Sequence, residues 1–247
     1  MKLSLVGAAG KMGKALTSEV QQNKEFEITN YIVKPNSPLV GKDVASINLN
    51  EQINSLFVDV PKNAFDMFVD FADVENISSR IQMYKKHCKP LIFCSTGLSN
   101  EEEKSIIALS KKMPVFIAPN TSVITALMKD FAIKILKIDQ SLKIHISESH
   151  HKSKKDAPSG TAKEFARMLQ LGTDKIEFNR TDEDRNSHKI AFSNNFESLE
   201  LRHDTANRSI YAQGALNIAK WFYKRPKNLY SMQTVIEEIH EQIKYNY

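Results

Sequence analysis

Leu3-Ser4-Leu5-Val6-Gly7-Ala8-Ala9-Gly10-Lys11-Met12-Gly13 opens the chain with an apolar run, a glycine turn and the start of a helical pattern. A short apolar run that ends in glycine reads as a strand buried on both faces of a parallel sheet. From Lys11 to Gln22 the apolar residues Met12, Ala15, Leu16 and Val20 recur at helical spacing. Glycine at the strand end permits a tight turn, and small residues let the backbone approach a pyrophosphate. The helix N-terminus then supplies free N–H groups and the positive end of its dipole. The spacing is GxxGxxG, with Ala9 where the usual GxGxxG has glycine. The same residues would also serve as a strand-to-helix turn without a ligand. Their place at the first strand and first helix favours a dinucleotide site.

Working outward, strand character returns at Phe26–Val33, Met67–Ala72, Pro90–Cys94 and Val115–Ala118, with helical stretches at Val74–His87 and Ser99–Lys112. Strand alternating with helix over short connections implies a parallel sheet covered on both faces. The pattern changes after Asn120. A helix over about Ser122–Leu136 leads to an alternating strand, Leu142–Ser149, and a second helix runs from near Ser159 to about Leu171. Strand candidates Lys189–Phe192 and Ser198–Arg202 follow, while 171–188 is polar and reads as a surface loop. Strands and helices grouped apart suggest an α+β unit. Gly214–Phe222 and Met232–Ile243 are helical again. The expected division is a dinucleotide-binding domain over 1–120, rejoined by 209–247, and a second domain over 121–208.

Bulk properties narrow the function classes. In 247 residues, 41% hydrophobic and 26% charged content is a globular balance. The N-terminal apolar stretch, Leu3 to Ala9, is too short for a signal peptide core, and no run approaches a transmembrane span. The expectation is a soluble, cytoplasmic protein. Two cysteines, Cys88 and Cys94, exclude a disulfide framework and a thiol-rich metal site. The net charge of +5 is spread along helices rather than gathered into a basic, aromatic-rich block. That speaks for anionic small molecules as partners rather than nucleic acid or a membrane.

Dinucleotide sites often carry an acidic residue at the end of the second strand to hold the ribose 2′-hydroxyl. Here that strand ends Tyr31-Ile32-Val33-Lys34, with no carboxylate in reach. Lys34 is placed to pair with a 2′-phosphate, so NADPH is expected to bind at least as well as NADH.

Glu148-Ser149-His150-His151-Lys152-Ser153-Lys154-Lys155-Asp156-Ala157-Pro158-Ser159-Gly160-Thr161-Ala162 holds the densest chemistry. Paired histidines suggest a metal, but no further ligand has suitable spacing and the lysines repel a cation. No metal is expected. Three lysines and two histidines instead present donors to a carboxylate-bearing molecule. Ser159-Gly160-Thr161 at a helix start offers backbone N–H groups to one carboxylate. A histidine or lysine held among other cations suits a general acid during reduction.

These residues resemble the signature of the 4-hydroxy-tetrahydrodipicolinate reductase family, formerly called dihydrodipicolinate reductases. Residues 148–162 match the family pattern E-x-H-H-x-x-K-x-D-A-P-S-G-T-A at every fixed position. Gly7–Gly13 looks like its GxxGxMG. Cys94-Ser95-Thr96-Gly97 is similar to its G-T-T-G turn, with Cys94 for the first glycine, and Ala118-Pro119-Asn120-Thr121-Ser122 to its A-P-N-x-S segment. Residues 214–222, GALNIAKWF, resemble its G-A-x-x-A-A-x-W-L. The resemblance implies a Rossmann-type α/β domain plus an α+β domain for substrate binding and oligomerisation, assembled as a homotetramer. It implies NAD(P)H-dependent reduction, with loss of water, of 4-hydroxy-tetrahydrodipicolinate to tetrahydrodipicolinate in lysine and diaminopimelate biosynthesis. His150 is then the principal acid/base residue and Lys154 its partner proton donor, while His151, Gly160 and Thr161 hold substrate carboxylates. Gly7, Ala8, Ala9, Gly10, Lys11, Met12, Lys34, Cys94, Ser95, Thr96, Ala118, Pro119, Asn120 and Thr121 line NADPH or NADH. An amino-acid or semialdehyde dehydrogenase on the same frame would need the glycine turn but not the whole 148–162 segment. A non-catalytic dinucleotide sensor would lack the acid/base loop.

Overall fold

The structure is a computed structural model that describes residues 1–47, 53–152, 157–182 and 186–245. In chain order, β1 (Lys2–Val6), α1 (Lys11–Gln21), β2 (Glu27–Ile32), β3 (Phe57–Val58), β4 (Met67–Asp70) and α2 (Ile77–His87) come first. Next are β5 (Leu91–Phe93), α3 (Asn100–Leu109), β6 (Val115–Ile117), α4 (Val123–Ile138), β7 (Lys143–His151) and α5 (Gly160–Met168). The remainder is β8 (Ile176–Thr181), β9 (Asn186–Ser193), β10 (Ser198–Thr205), α6 (Ser209–Phe222), β11 (Leu229–Ser231) and α7 (Met232–Tyr245). The chain divides into two compact units, Met1–Thr121 with Ser209–Val235, and Ser122–Arg208 with Ile236–Tyr247.

The first unit is built on a seven-stranded sheet of order β11-β6-β5-β4-β1-β2-β3. Its strand pairs are parallel throughout. The chain steps from β1 to β2 in one direction and from β4 to β5 in the other. Right-handed crossovers therefore send the connecting helices to opposite faces. α1 packs with α6, and α2 with α3. Burial from both sides is why Met67, Phe68, Val69, Leu91, Ile92, Phe93, Val115 and Phe116 read as unbroken apolar runs. Each such large side chain fully removed from water contributes about 1.5–3 kcal/mol before conformational entropy is subtracted. The sheet and its helix cover bear out the Rossmann-type expectation.

The second unit carries a mixed four-stranded sheet of order β10-β9-β7-β8. β7 and β8 run parallel, while β7–β9 and β9–β10 are antiparallel. Ile146, Ile190 and Phe192 of this sheet pack with Met128 and Ala132 of α4 and Ala162, Phe165 and Ala166 of α5. This is the expected α+β unit, with one correction. The polar stretch 171–188 is not a surface loop: it contains β8 and the start of β9. Only Ile176 of β8 is fully buried. The strand lies at a sheet edge, so its polar residues hide the alternation. Among the described residues, no helix is long and apolar enough to cross a membrane.

Candidate active site

In the first unit, the turns after β1, β4, β5 and β6 share the carboxyl edge of the parallel sheet. Strand order reverses between β1 and β4, where open α/β sheets bind ligands. Gly7 adopts φ +78°, and a Cβ there would lie 2.6 Å from the Ala72 backbone nitrogen. Its N–H and that of Ala8 both donate to the Ile32 carbonyl, at 3.0 and 3.1 Å. Gly13 lets α1 descend on the turn, since a Cβ there would meet the Gly7 carbonyl oxygen at 2.4 Å. α1 begins on Gly10 with no side-chain cap and no acidic residue in its first turn. α3, by contrast, is closed by a Ser99–Glu102 capping box. The α1 terminus thus keeps first-turn N–H groups and its dipole for an anion.

A cavity of about 310 Å³ opens beside this turn, lined by Gly7, Ala9, Gly10, Lys34, Glu75 and Arg80 among others. Its size, its glycine floor and its uncapped helix end fit the adenosine and phosphate portion of a dinucleotide. Lys34 is exposed and lies 3.2 Å from Glu75. Asp59 and Asp73 also line the cavity. Lys34 therefore has carboxylates near it after all, because β3 and the β4–α2 turn bring them from elsewhere in the sequence.

Beneath the turn lies a network with no counterpart in the sequence reading. Asp70, fully buried at the end of β4, accepts from the Ala72 N–H at 2.8 Å, from Arg80 at 3.1 Å and from the Tyr84 hydroxyl at 2.6 Å. Burial raises the Asp70 carboxyl above its ordinary value, against the opposing pull of Arg80 and these donors. Burial and then Asp70 push the Tyr84 hydroxyl well up. The pair fixes Ala72, the backbone on which Gly7 rests. The one signal in sequence was an aspartate closing an otherwise apolar strand, Met67-Phe68-Val69-Asp70.

The remaining cofactor candidates of this unit lie along the same sheet edge. Lys11 is exposed and Met12 half-buried in the first turn of α1, while Ala8 is buried. Cys94 and Ser95 are buried after β5 and Thr96 is exposed. Burial, with Asp70 nearby, pushes the Cys94 thiol well up. After β6, Ala118 and Thr121 are buried, Pro119 exposed and Asn120 half-buried. The Thr121 hydroxyl donates to the Tyr211 carbonyl at 2.6 Å. Gly7, Ala9, Gly10 and Lys34 thus share one cavity, and the residues after β5 and β6 continue the edge beyond it.

In the second unit, β7 alternates so that Ile146, Glu148 and His150 are buried. Glu148 Oε1 accepts the Ser159 N–H at 2.9 Å and lies 3.5 Å from Arg180. Glu148 Oε2 lies 3.5 Å from His150 Nδ1 and 3.6 Å from His188 Nε2. Ser159 caps α5 by accepting the Ala162 N–H at 3.2 Å. Gly160, next along, is exposed with open space where a Cβ would stand. Gly160 and half-buried Thr161 therefore present first-turn N–H groups beside a buried acid–base cluster. His151 falls on the alternate face of β7, so its ring is not brought beside that of His150. Lys154 lies outside the described residues. His188 and Arg180 fell within the stretch read as a loop, so sequence reasoning missed both.

Glu148, His150 and His188 place ligand-capable atoms within 4.8 Å of one another, a grouping the count of ligand spacings did not anticipate. The carboxylate already receives the Ser159 N–H and faces the Arg180 guanidinium. A cation would meet that fixed positive charge.

A parallel sheet that opens its carboxyl edge on an uncapped glycine turn is the frame of pyridine-nucleotide oxidoreductases, and this chain is of that class. Two family profiles match it, "Dihydrodipicolinate reductase, N-terminus" over residues 1–121 and "Dihydrodipicolinate reductase, C-terminus" over 122–236. The 4-hydroxy-tetrahydrodipicolinate reductase of Chromohalobacter salexigens is 31% identical over 95% of this chain and 98% of its own. That of Buchnera aphidicola subsp. Acyrthosiphon pisum is 29% identical over 95% and 97%. The chain belongs to the dihydrodipicolinate reductase family. A dipicolinate-bound dihydrodipicolinate reductase from Paenisporosarcina sp. TG-14 has the same fold, with a TM-score of 0.72 at 21% identity over 94% of this chain and 97% of that one. An aspartate dehydrogenase from Thermotoga maritima shares the frame more loosely, at a TM-score of 0.51 and 13% identity over 91% of this chain and 97% of that one.

Proposed function

We propose that this reductase acts on 4-hydroxy-tetrahydrodipicolinate, reducing it with loss of water to tetrahydrodipicolinate in lysine and diaminopimelate biosynthesis. The observation that carries the reading is the buried Glu148–His150–His188 cluster, with half-buried Arg180 beside it, set against the first turn of α5. A doubly negative cyclic imine needs both halves of that arrangement. Helix-end N–H groups of Gly160 and Thr161 take one carboxylate, and His151 contributes to holding the diacid. Negative charge moves onto the ring when hydride adds, and a nearby acid must protonate it. His150 stands with its Nδ1 3.5 Å from the Glu148 carboxylate, and an imidazole beside a carboxylate suits the proton donor. Lys154 is the second donor by its place in the motif. Proton donation by one positioned acid adds roughly 10²–10⁴-fold.

A pyridine dinucleotide would supply the hydride when bound: Gly7–Met12 would hold its pyrophosphate, Lys34 would lie toward the ribose, and Cys94–Thr96 with Ala118–Thr121 would line the remainder. Lys34 favours NADPH at least as strongly as NADH, with Glu75 moderating that preference. The family resemblance supports a cytoplasmic homotetramer, with neither nucleic acid nor membrane as partner. The test is a 340 nm assay with freshly generated substrate and each reduced cofactor. Turnover is expected with the imine diacid and not with simple amino acids or semialdehydes; the reverse preference would overturn the assignment. His150→Gln should lower kcat at least a hundredfold while cofactor affinity stays within a factor of about two.

A further inference from the structure

We propose that His188 is a positioning residue for His150, acting through the carboxylate of Glu148. The inference rests on the reading of His150 as the proton donor. It starts from sheet register. Glu148 of β7 stands directly opposite His188 of β9, and His150 of β7 opposite Arg180 of β8. His188 in turn stands opposite His203 of β10. Glu148, His150 and His188 are each at most 5% exposed, so nothing in bulk solvent shields them from one another.

A single carboxylate oxygen, Glu148 Oε2, faces both imidazoles at nearly equal distance, 3.5 Å to His150 and 3.6 Å to His188. The two rings lie 5.0 Å apart, nearly perpendicular. One negative charge cannot fully compensate two imidazolium ions in a buried site, so a proton on either ring draws on the same carboxylate. The other carboxylate oxygen is held by the Ser159 N–H and Arg180, which stops Glu148 from turning to serve one ring alone. His203, beyond His188, sits 3.2 Å from the Thr125 hydroxyl of α4, and burial lowers its own proton affinity. It therefore adds little competing charge. Phe165 of α5 packs edge-on against the His188 ring and fixes its plane.

His188 has a second contact that makes it more than a spectator. Its Nε2 lies 3.2 Å from Ser159 Oγ, the oxygen that caps α5. One ring thus touches both the carboxylate that orients the proton donor and the serine that starts the anion-binding turn. A substrate carboxylate bound at Gly160 and Thr161 would act on the Ser159–His188 contact, and through it on the Glu148 charge available to His150.

The test is a pH titration of the histidine ring resonances in the full chain, with His150 assigned by its replacement. Wild type is compared with Glu148→Gln, His188→Asn and His188→Gln. Losing the carboxylate should lower the His150 midpoint by about 1–3 pH units. Losing the competing ring should raise it, by up to about one unit, because Glu148 then serves His150 alone. The corresponding limb of the kcat/KM profile should move the same way in each variant. Opposite displacements are the signature, since a merely structural histidine would leave the midpoint in place. An unchanged His150 midpoint in both His188 variants, or one displaced in the same direction as in Glu148→Gln, overturns the inference. The ring titration does not require turnover. Failure of the wild-type protein to reduce the imine diacid would sink the functional reading while the midpoints still decide the role of His188.

Discussion

Replacing Gly13 with alanine sets two physical effects against each other. Gly13 lies inside α1, where alanine ordinarily gains about 1 kcal/mol over glycine. Here the added Cβ would stand 2.4 and 2.5 Å from the carbonyl oxygens of Gly7 and Ala8, and 2.6 Å from the Ala8 carbonyl carbon. These are backbone atoms of a turn already pinned to β2 and to Ala72, so no side chain can swing away. α1 would have to lift by roughly an ångström, disturbing Leu16, Thr17 and Val20 on its buried face. Overpacking of this kind costs about 1–3 kcal/mol, and rigid backbone puts it at the upper end. The net loss is about 2 kcal/mol, or roughly 4–8 °C in Tm for a unit of this size. Trp221 of α6 is the sole tryptophan and packs on Phe116 of the first unit, so its fluorescence during urea unfolding reports on that unit. Cofactor affinity should fall at least tenfold, which corresponds to about 1.4 kcal/mol of lost binding. Gly10→Ala is the control: its Cβ would approach only Gly7, at 3.2 Å, at an ordinary backbone φ of −73°. It should cost less than about 1 kcal/mol. A Gly13→Ala protein as stable as wild type, with unaltered cofactor affinity, would refute the reasoning.

Three further outcomes are expected. Glu75→Gln should raise the affinity for NADPH relative to NADH by on the order of 2–5-fold, and Lys34→Ala should lower it, because their exposed ion pair competes with a 2′-phosphate; equal ratios in all three proteins would refute this. Tyr84→Phe should cost about 1.5–3 kcal/mol at neutral pH, since it removes a hydrogen bond to the buried Asp70 carboxylate. Asp70 binds its proton more tightly folded than unfolded, so its contribution to stability falls as pH rises through the folded value. The Tyr84 bond opposes that rise, and the Tyr84→Phe penalty should therefore shrink in acid; a penalty independent of pH would contradict the assignment. Native protein should give one fast-reacting thiol, exposed Cys88, and two after unfolding, because burial keeps the Cys94 thiol protonated; two fast thiols in the native state would count against that burial.

What could be read in the sequence was what the chain decides locally. β1, the glycine turn and α1 are contiguous, so the period change from strand to helix and the glycine spacing were visible together. Ser159-Gly160-Thr161 was legible as a helix start because capping is a neighbour effect. Asp70, Arg80 and Tyr84 were not legible as a network, since helical spacing in α2 brings them together only after β4 is paired. His188 and Arg180 were hidden for a related reason. Their neighbours are set by cross-strand register, and β8 presents one fully buried apolar residue among polar ones. β3 and β11, with two and three residues, carry no measurable period. Glu75 beside Lys34 likewise depends on a turn meeting a strand from a different part of the chain.

The order in which the sheet is completed bears on how the protein is made. β6 is flanked by β5 and β11, yet β11 is synthesised roughly a hundred residues after β6, once the stretch 118–228 has been translated. At about 5–20 residues per second the ribosome needs roughly 6–22 seconds to deliver it. Throughout that interval Val115-Phe116-Ile117 presents an apolar, unpaired rim to solvent, the kind of rim that invites pairing with a neighbouring nascent chain. A ribosome stalled before residue 229 would therefore hold a nearly finished sheet with one sticky border. Synthesis speed across the inserted segment, more than the stability of the finished fold, would then set the yield of usable protein.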